Sequence, residues 1–285
     1  VTPVVPDRRG VSDAPVWRRL QPVVTFVLVV LSIGIPLWLV LVTAAKSRGE
    51  ALTPDLSLPT EWHLLENLGQ VWGDGEVLRA SLGSLLVVVP SVIGVLLFGS
   101  MAAWILARRA TRLNAVLYAL AISGIVLPPA VVTVVLLLRQ LGLAGSAVGM
   151  IGVYMGIYMS TVIFFVTGFV RTIPTSLEEA AQLDGASPMR VFWLVVLPLL
   201  RPVLATATIL VCLYVWNDVF YAFFVIGGRL DTLPLNLFRV ASAGLYLNNW
   251  HLIFAYVILM SLPLVVVFAV AQRKIISGIT SGAVK

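Results

Sequence analysis

Charge is scarce in this chain. Asp, Glu, Lys and Arg make up 11% of its 285 residues, where a soluble globular domain carries roughly a quarter. With 60% apolar residues and a mean hydropathy of +1.02, a soluble fold is excluded and an integral membrane protein remains. Cysteine is nearly absent. The single Cys212 lies in an apolar run, which excludes a disulfide framework and leaves packing as its role. The two histidines, His63 and His251, stand apart, and no His, Cys or carboxylate cluster has metal or catalytic spacing; a metal site or membrane enzyme lacks its residues. No phosphate-binding glycine loop with a lysine occurs, so any nucleotide binds elsewhere. The net charge of +6 would suggest nucleic acid in a soluble protein, but in a membrane protein it first reflects orientation, and no nucleic-acid partner is expected.

What the chain has is long apolar runs. Six are of membrane length, at 22–45 and at about 82–106, 113–138, 146–170, 202–226 and 252–272; about 20 residues cross the hydrocarbon core. The expected fold is an all-α integral membrane protein with six transmembrane helices. The first run is too long for a signal peptide and is expected to stay uncleaved. With the N-terminus inside, the inner segments hold Arg8, Arg9, Arg18, Arg19, Arg108, Arg109, Arg112, Arg171, Arg190, Arg201, Arg273, Lys274 and Lys285. The outer segments hold only Lys46, Arg48, Arg79, Arg139, Arg229 and Arg239. The positive-inside rule therefore predicts cytoplasmic N- and C-termini. The chain divides into an N-terminal tail (1–21), a six-span membrane domain (22–272) and a C-terminal tail (273–285).

The outer loop 46–78 is expected to carry a short amphipathic helix capped by Thr60, with Trp62, Leu65, Leu68 and Trp72 at the interface. Its acidic residues, Glu50, Asp55, Glu61, Glu66, Asp74 and Glu76, either meet a soluble partner or form a solvated face. The outer loop 227–251 reads as flexible at its start, with Trp250 at the interface.

Within the membrane, the second span carries Ser81, Ser84, Ser91, Gly94, Gly99 and Ser100, small residues that permit close helix approach. Pro128-Pro129 predicts a kink in the third span, lining a pathway or bending for packing. On the fourth span Gly149, Gly152, Gly156 and Ser160 form a small-residue strip. Roughly opposite lie Tyr154, Tyr158, Thr161 and Phe165, which either line a cavity or pack. In the fifth span Tyr214, Asn217, Asp218 and Tyr221 fall at i, i+3, i+4 and i+7, one helical stripe. Asp218 is the only carboxylate in any predicted span. Such a charge costs on the order of 2.5 to 3.5 kcal/mol to insert, so it faces a partner or a watery cavity. Two readings stand: pathway lining, in which amide, carboxylate and aromatic faces suit a hydroxyl-rich solute, and helix-to-helix pairing.

The cytoplasmic segment 171–198 is the longest polar interval between apolar runs in the second half. Thr175 and Ser176 each precede a glutamate by three residues, Glu178 and Glu179, which predicts a reciprocal cap. Leu177, Ala180 and Ala181 supply apolar contacts. Asp184-Gly185 predicts the stop, since glycine enters the left-handed conformation freely. Ser187-Pro188 predicts a restart, with serine as N-cap and proline at the first helical position.

Here the residues carry a family resemblance. Glu179-Ala180-Ala181, three residues, Gly185, nine residues, then Val195, one residue and Leu197-Pro198 resemble the EAA signature of binding-protein-dependent ABC importers. Only Val195 departs, where that signature has isoleucine. Trp216-Asn217-Asp218, Asp231-Thr232-Leu233-Pro234, Glu66-Asn67, Leu127-Pro128-Pro129 and the tail from Gln272 to Lys285 are similar to the smaller permease subunit of maltose-type importers. The likeness covers nearly everything after residue 22. The fourth span departs from it, being richer in glycine and tyrosine.

This resemblance implies a cytoplasmic coupling helix between spans four and five, seated in a cleft of an ATPase. It implies a second, different permease subunit, two ATPase subunits that bind ATP and Mg, an extracytoplasmic solute-binding protein and a sugar substrate. The residues it marks for ATPase coupling are Glu178, Glu179, Ala180, Ala181, Asp184, Gly185, Ser187, Pro188, Leu197 and Pro198. The candidate pathway residues are Tyr154, Tyr158, Thr161, Tyr214, Asn217, Asp218 and Tyr221. Import of a non-sugar solute is the alternative within the class. An ion-coupled secondary transporter needs intramembrane ion ligands and often an internal repeat; one carboxylate and no evident repeat argue against it.

Overall fold

The computed structural model describes residues 16–74, 76–127, 129–242 and 248–283. In chain order its helices are α1 (Val16–Val29), α2 (Ile35–Ala45), α3 (Leu64–Asp74), α4 (Val77–Arg108), α5 (Arg112–Val126), α6 (Val131–Gln140) and α7 (Ala147–Val170). They continue as α8 (Ser176–Leu183), α9 (Pro188–Val191), α10 (Leu197–Leu199), α11 (Arg201–Trp216), α12 (Phe220–Ile226), α13 (Leu233–Ser242) and α14 (Trp250–Ala283). No strand occurs among the described residues.

Two π turns, Val30–Gly34 and Phe192–Val196, join α1 to α2 and α9 to α10. Each lies just before a proline, Pro36 or Pro198. Proline has no N–H for the carbonyl four residues back, and the chain answers with bonds five residues back, from Ile35 N to Val30 O and from Leu197 N to Phe192 O.

Four helical stretches are individually long and apolar enough to cross a membrane: Leu20–Ala45, α4, α7 and Trp250–Ala269. Two bent pairs bring the count to six if each is one span. The expected third span is more than kinked. α5 stops at Val126 and α6, at 113° to it, starts at Val131; Pro129 has no N–H to continue the helix, and Pro128, the other half of the expected kink, lies outside the described residues. The expected fifth span, 202–226, is not one helix either. α11 enters at 77° to Pro188–Leu199 and ends at Trp216, and α12 restarts at Phe220. At the chain ends α1 begins at Val16 and α14 runs on to Ala283. No proline follows Pro263 to stop that last helix.

α4 and α7 make the central pair. Gly94 and Gly99 permit it: a Cβ on either would come within 2.8 Å of Met155 Sδ or Val162 Cγ1, and close approach is what associates helices in lipid. Ser91 and Ser100 donate to their own helix, to Val87 O and Leu97 O, so neither serine hydroxyl is stranded. α11 packs on both helices of this pair, α14 packs on α11, and the end of α2 packs on α14. Val23, Phe26, Leu28 and Leu31 on the first stretch stay exposed, as lipid-facing side chains do.

In the 46–78 loop the amphipathic helix starts at Leu64, and Thr60 is not its cap. The Thr60 hydroxyl and N–H donate instead to Glu50, which also accepts from Ser47. Buried Lys46 donates to Asp55 and Ser57. Trp62, Leu65 and Trp72 are exposed, whereas Leu68, expected beside them at the interface, is half-buried against the core. Glu50 and Asp55 are therefore spent holding the loop together, and Glu66 pairs with His63 at 2.9 Å. The Thr60 bonds hold the Glu50 carboxyl at about 2, and the Lys46 ammonium with Ser57 holds that of Asp55 at about 2.

Candidate functional site

α8 is organised by Glu178, and not as a reciprocal cap. Thr175 caps the helix with no side-chain bond. Glu178 turns inward and is 6% exposed. It accepts from Arg108 Nε at 2.8 Å and from Trp104 Nε1 at 2.9 Å, both on α4. Arg108 also donates to Ile173 O at 2.9 Å. The reason is competition: a cation and an indole N–H at the end of α4 offer a carboxylate stronger partners than a backbone N–H that water already reaches.

The stop and restart form as the local chemistry demands. Gly185 adopts φ +82°, with Gly185 N bonded to Gln182 O and Ala186 N to Ala181 O, each at 3.0 Å. That is a Schellman closure. Ser187 Oγ accepts from Arg190 N, and Pro188 takes the first helical position. Glu179, Ala180, Leu183, Asp184, Gly185, Ser187 and Pro188 face outward, while Ala181 is half-buried; Leu183 is 89% exposed. Leu197 and Pro198 lie half-buried at the far end, where the chain turns into α11.

The pathway residues do not form one stripe, because the helix breaks between Trp216 and Phe220. Asp218 is the cause. Its carboxylate accepts from Ala222 N at 2.9 Å and Tyr221 N at 3.3 Å, so it begins α12 rather than continuing α11. Tyr154 of α7 donates to the same carboxylate at 2.8 Å. Asn217 folds back to Leu213 O at 2.9 Å. Tyr158 and Tyr214 stack in parallel, 5.6 Å between centroids, and Tyr154 lies 6.0 Å from Tyr158. Tyr158, Thr161, Phe165 and Tyr214 line one cavity of about 730 Å³. Tyr221 instead lines an apolar cavity of about 450 Å³ with Gly152 and Gly156. Those two glycines therefore face open space, while Gly149 packs against Leu143 O and Ser160 against Gly124.

Sequence reasoning missed the seat of the segment after α12. Ser84 Oγ accepts from Leu233 N at 2.8 Å, and a Cβ on Gly83 would lie 1.9 Å from Asp231 O. Asp231 pairs with Arg239 at 2.7 Å, and Tyr256 donates to Asn236 at 2.7 Å. This part of the 227–251 loop is clamped to α4 and α14, while Gly227 and Gly228, at φ +58° and +82°, make the turn before it.

A helical membrane protein with a polar arm tied to α4 matches one described family along most of its length. The model of the "binding-protein-dependent transport system inner membrane component" matches residues 76–281. The chain belongs to this family. This inner-membrane component is 34% identical over 258 residues to the melibiose/raffinose/stachyose import permease protein MelC of Bacillus subtilis (strain 168), covering 88% of this chain and 91% of that protein. It is 31% identical over 256 residues to the diacetylchitobiose uptake system permease protein NgcG of Streptomyces coelicolor, covering 87% and 83%. It is 33% identical over 257 residues to a probable starch degradation products transport system permease protein, AmyC, of Thermoanaerobacterium thermosulfurigenes, covering 88% and 91%. Its fold is similar to that of a chain in a bacterial ABC transporter involved in the import of the acidic polysaccharide alginate, with a TM-score of 0.76 at 21% identity over 92% of this chain and 98% of that one.

Proposed function

We propose that this chain is the permease subunit of an ATP-driven, binding-protein-dependent importer of a sugar or oligosaccharide. Relatives named for melibiose, diacetylchitobiose and starch products support the substrate class. The alternative of a non-sugar solute is not favoured by them. The observation that carries the coupling role is the posture of α8: Glu178 is fastened to α4 while Glu179, Ala180 and Leu183 project outward. Such an arm turns movement of a docked partner into movement of α4.

In this reading the chain makes six spans with both termini cytoplasmic, counting each bent pair once. It pairs with a second permease chain, above two ATPase subunits that hold ATP and Mg, and below an extracytoplasmic binding protein. Glu179 to Pro188 form the ATPase contact, and Leu197-Pro198 the hinge into α11. Tyr158, Thr161 and Tyr214 line the pathway, framed by Tyr154, Asp218, Asn217 and Tyr221. ATP closes the ATPase dimer, the coupling helices move, and the cavity alternates its opening. Driving such an equilibrium from 1:99 to 99:1 takes about 5.5 kcal/mol of differential binding, shared by ATP and the docked binding protein.

The test is a pull-down of the detergent-solubilised complex, wild type beside Glu179→Lys, scored for a bound ATPase and for sugar-stimulated ATP hydrolysis. Loss of either in the variant supports the reading. A wild type that purifies alone under several mild conditions, with uptake indifferent to ATP, sinks it.

A further inference from the structure

We propose that a basic pocket between the ends of α4, α5 and α7 binds the phosphate of an anionic phospholipid headgroup, with Arg109, Arg112 and Arg171 as its ligands. The pocket encloses about 660 Å³, and its polar lining is these three arginines with Thr111, Asn114 and Tyr118. Its position follows from the fold: two membrane-length helices, α4 and α7, both end here and α5 begins here. The pocket therefore sits at headgroup depth whichever way the chain is oriented. The site does not depend on the transport reading.

The charges give the reason. Among the described residues no carboxylate pairs with Arg109, Arg112 or Arg171. The neighbouring Arg108 is neutralised by Glu178 at 2.7 Å, so the local acid is already used. Arg171 is held over the Tyr118 ring, its guanidinium carbon 5.4 Å from the centroid, which orients the cation and leaves its hydrogen-bonding edge unspent. Asn114 is fixed by bonds to Thr111 Oγ1 and Arg109 O, so the wall is built before a ligand arrives. Three guanidinium forks without a counter-ion suit a phosphate, and basic pockets between spans at the membrane surface take anionic headgroups.

A lipid, rather than free phosphate, follows from the adjoining flank of α5. Leu113, Leu117 and Leu120 are 66%, 45% and 64% exposed and run along the helix away from the pocket mouth, where acyl chains lie. A free anion would make no use of that flank.

The experiment is native mass spectrometry of the full chain, purified with whatever subunits accompany it, titrated with phosphatidylglycerol, phosphatidylcholine or inorganic phosphate. Wild type is expected to retain phosphatidylglycerol and not phosphatidylcholine. R109Q/R112Q/R171Q is expected to weaken retention roughly a hundredfold, at about fivefold per arginine, while R109K/R112K/R171K keeps most of it. The lysine variant and the wild-type lipid comparison keep the test decisive even if the glutamine variant folds poorly. Equal retention of the two lipids by wild type overturns the proposal. So does displacement of phosphatidylglycerol by millimolar phosphate, which marks a free-anion site, or a glutamine variant that keeps the lipid but sheds a co-purifying soluble subunit, which marks a protein contact.

Discussion

Arg108 and Glu178 meet at 2.7 Å and so join the last turn of α4 to the first turn of α8 across the polar segment. Trp104 adds a second bond to the same carboxylate, and its ring lies 5.7 Å from Phe192, at the start of the π turn after α9. The arm is thus tied to α4 by charge and wedged by aromatics. Removing one partner of a buried pair costs on the order of 3 kcal/mol, because the other is left unpaired. Glu178→Gln is expected to lower thermal stability and to leave ATP hydrolysis running faster than sugar uptake. The swap Arg108→Glu with Glu178→Arg restores part of that coupling. Measuring uptake per ATP hydrolysed in proteoliposomes checks this; equal ratios in wild type and both variants would falsify it.

Gly185 sits at φ +82° with open space around it, so its demand is conformational and not steric. A β-branched residue there pays roughly 1 to 2 kcal/mol for the left-handed conformation or unwinds the Schellman closure. Gly185→Val is expected to uncouple uptake from hydrolysis, whereas Gly185→Asn, which tolerates that conformation, keeps most of the wild-type ratio. The same proteoliposome assay separates them, and normal uptake in the valine variant is the adverse result.

The stop at Gly185 and the restart at Ser187-Pro188 were legible because capping is settled by a few consecutive residues. The direction of Glu178 was not, since its partners lie 74 and 70 residues away and only the packing of α4 beside α8 presents them. The stripe of Tyr214, Asn217, Asp218 and Tyr221 failed for a related reason. A helical period assumes an unbroken helix, and Asp218 breaks it by taking the N–H groups of Tyr221 and Ala222. Likewise Pro128-Pro129 announced a kink, but the sequence carries no angle for it. The apolar runs themselves mark the helices well, because burial in lipid needs length and composition alone.

The 46–78 loop offers a test by pH. The carboxyls of Glu50 and Asp55 titrate at about 2 in the folded loop, below the ordinary 4.5 and 3.8. A lowered folded value stabilises the ionised form, so the contribution is complete above the unfolded values and is lost as pH falls through about 2. Hydrogen exchange across 46–62 should stay slow and flat from neutral pH to about 5, after correction for intrinsic rates, and quicken below about 4. Asp55→Asn should bring the fast behaviour to neutral pH. Unchanged protection in that variant contradicts the assignment.

Asp218 and Tyr154 make the sharpest division between holding the fold and meeting the solute. The carboxylate is occupied by one phenol and two backbone N–H groups, while Tyr158 and Tyr214 present a stacked pair to the cavity. Asp218→Ala strips the start of α12 of its cap, at about 1 to 2 kcal/mol, and is expected to lower maximal uptake with the half-saturating sugar concentration nearly unchanged. Tyr154→Phe loses one hydrogen bond, about 1 kcal/mol, and follows in the same direction more weakly. Tyr214→Ala removes a stacking face worth roughly 1 kcal/mol and is expected to raise the half-saturating concentration about fivefold with smaller loss of maximal rate. Uptake measured over a range of sugar concentrations in membrane vesicles separates the two effects. If Asp218→Ala raises the half-saturating concentration and Tyr214→Ala does not, the carboxylate contacts the solute and the aromatic pair only packs.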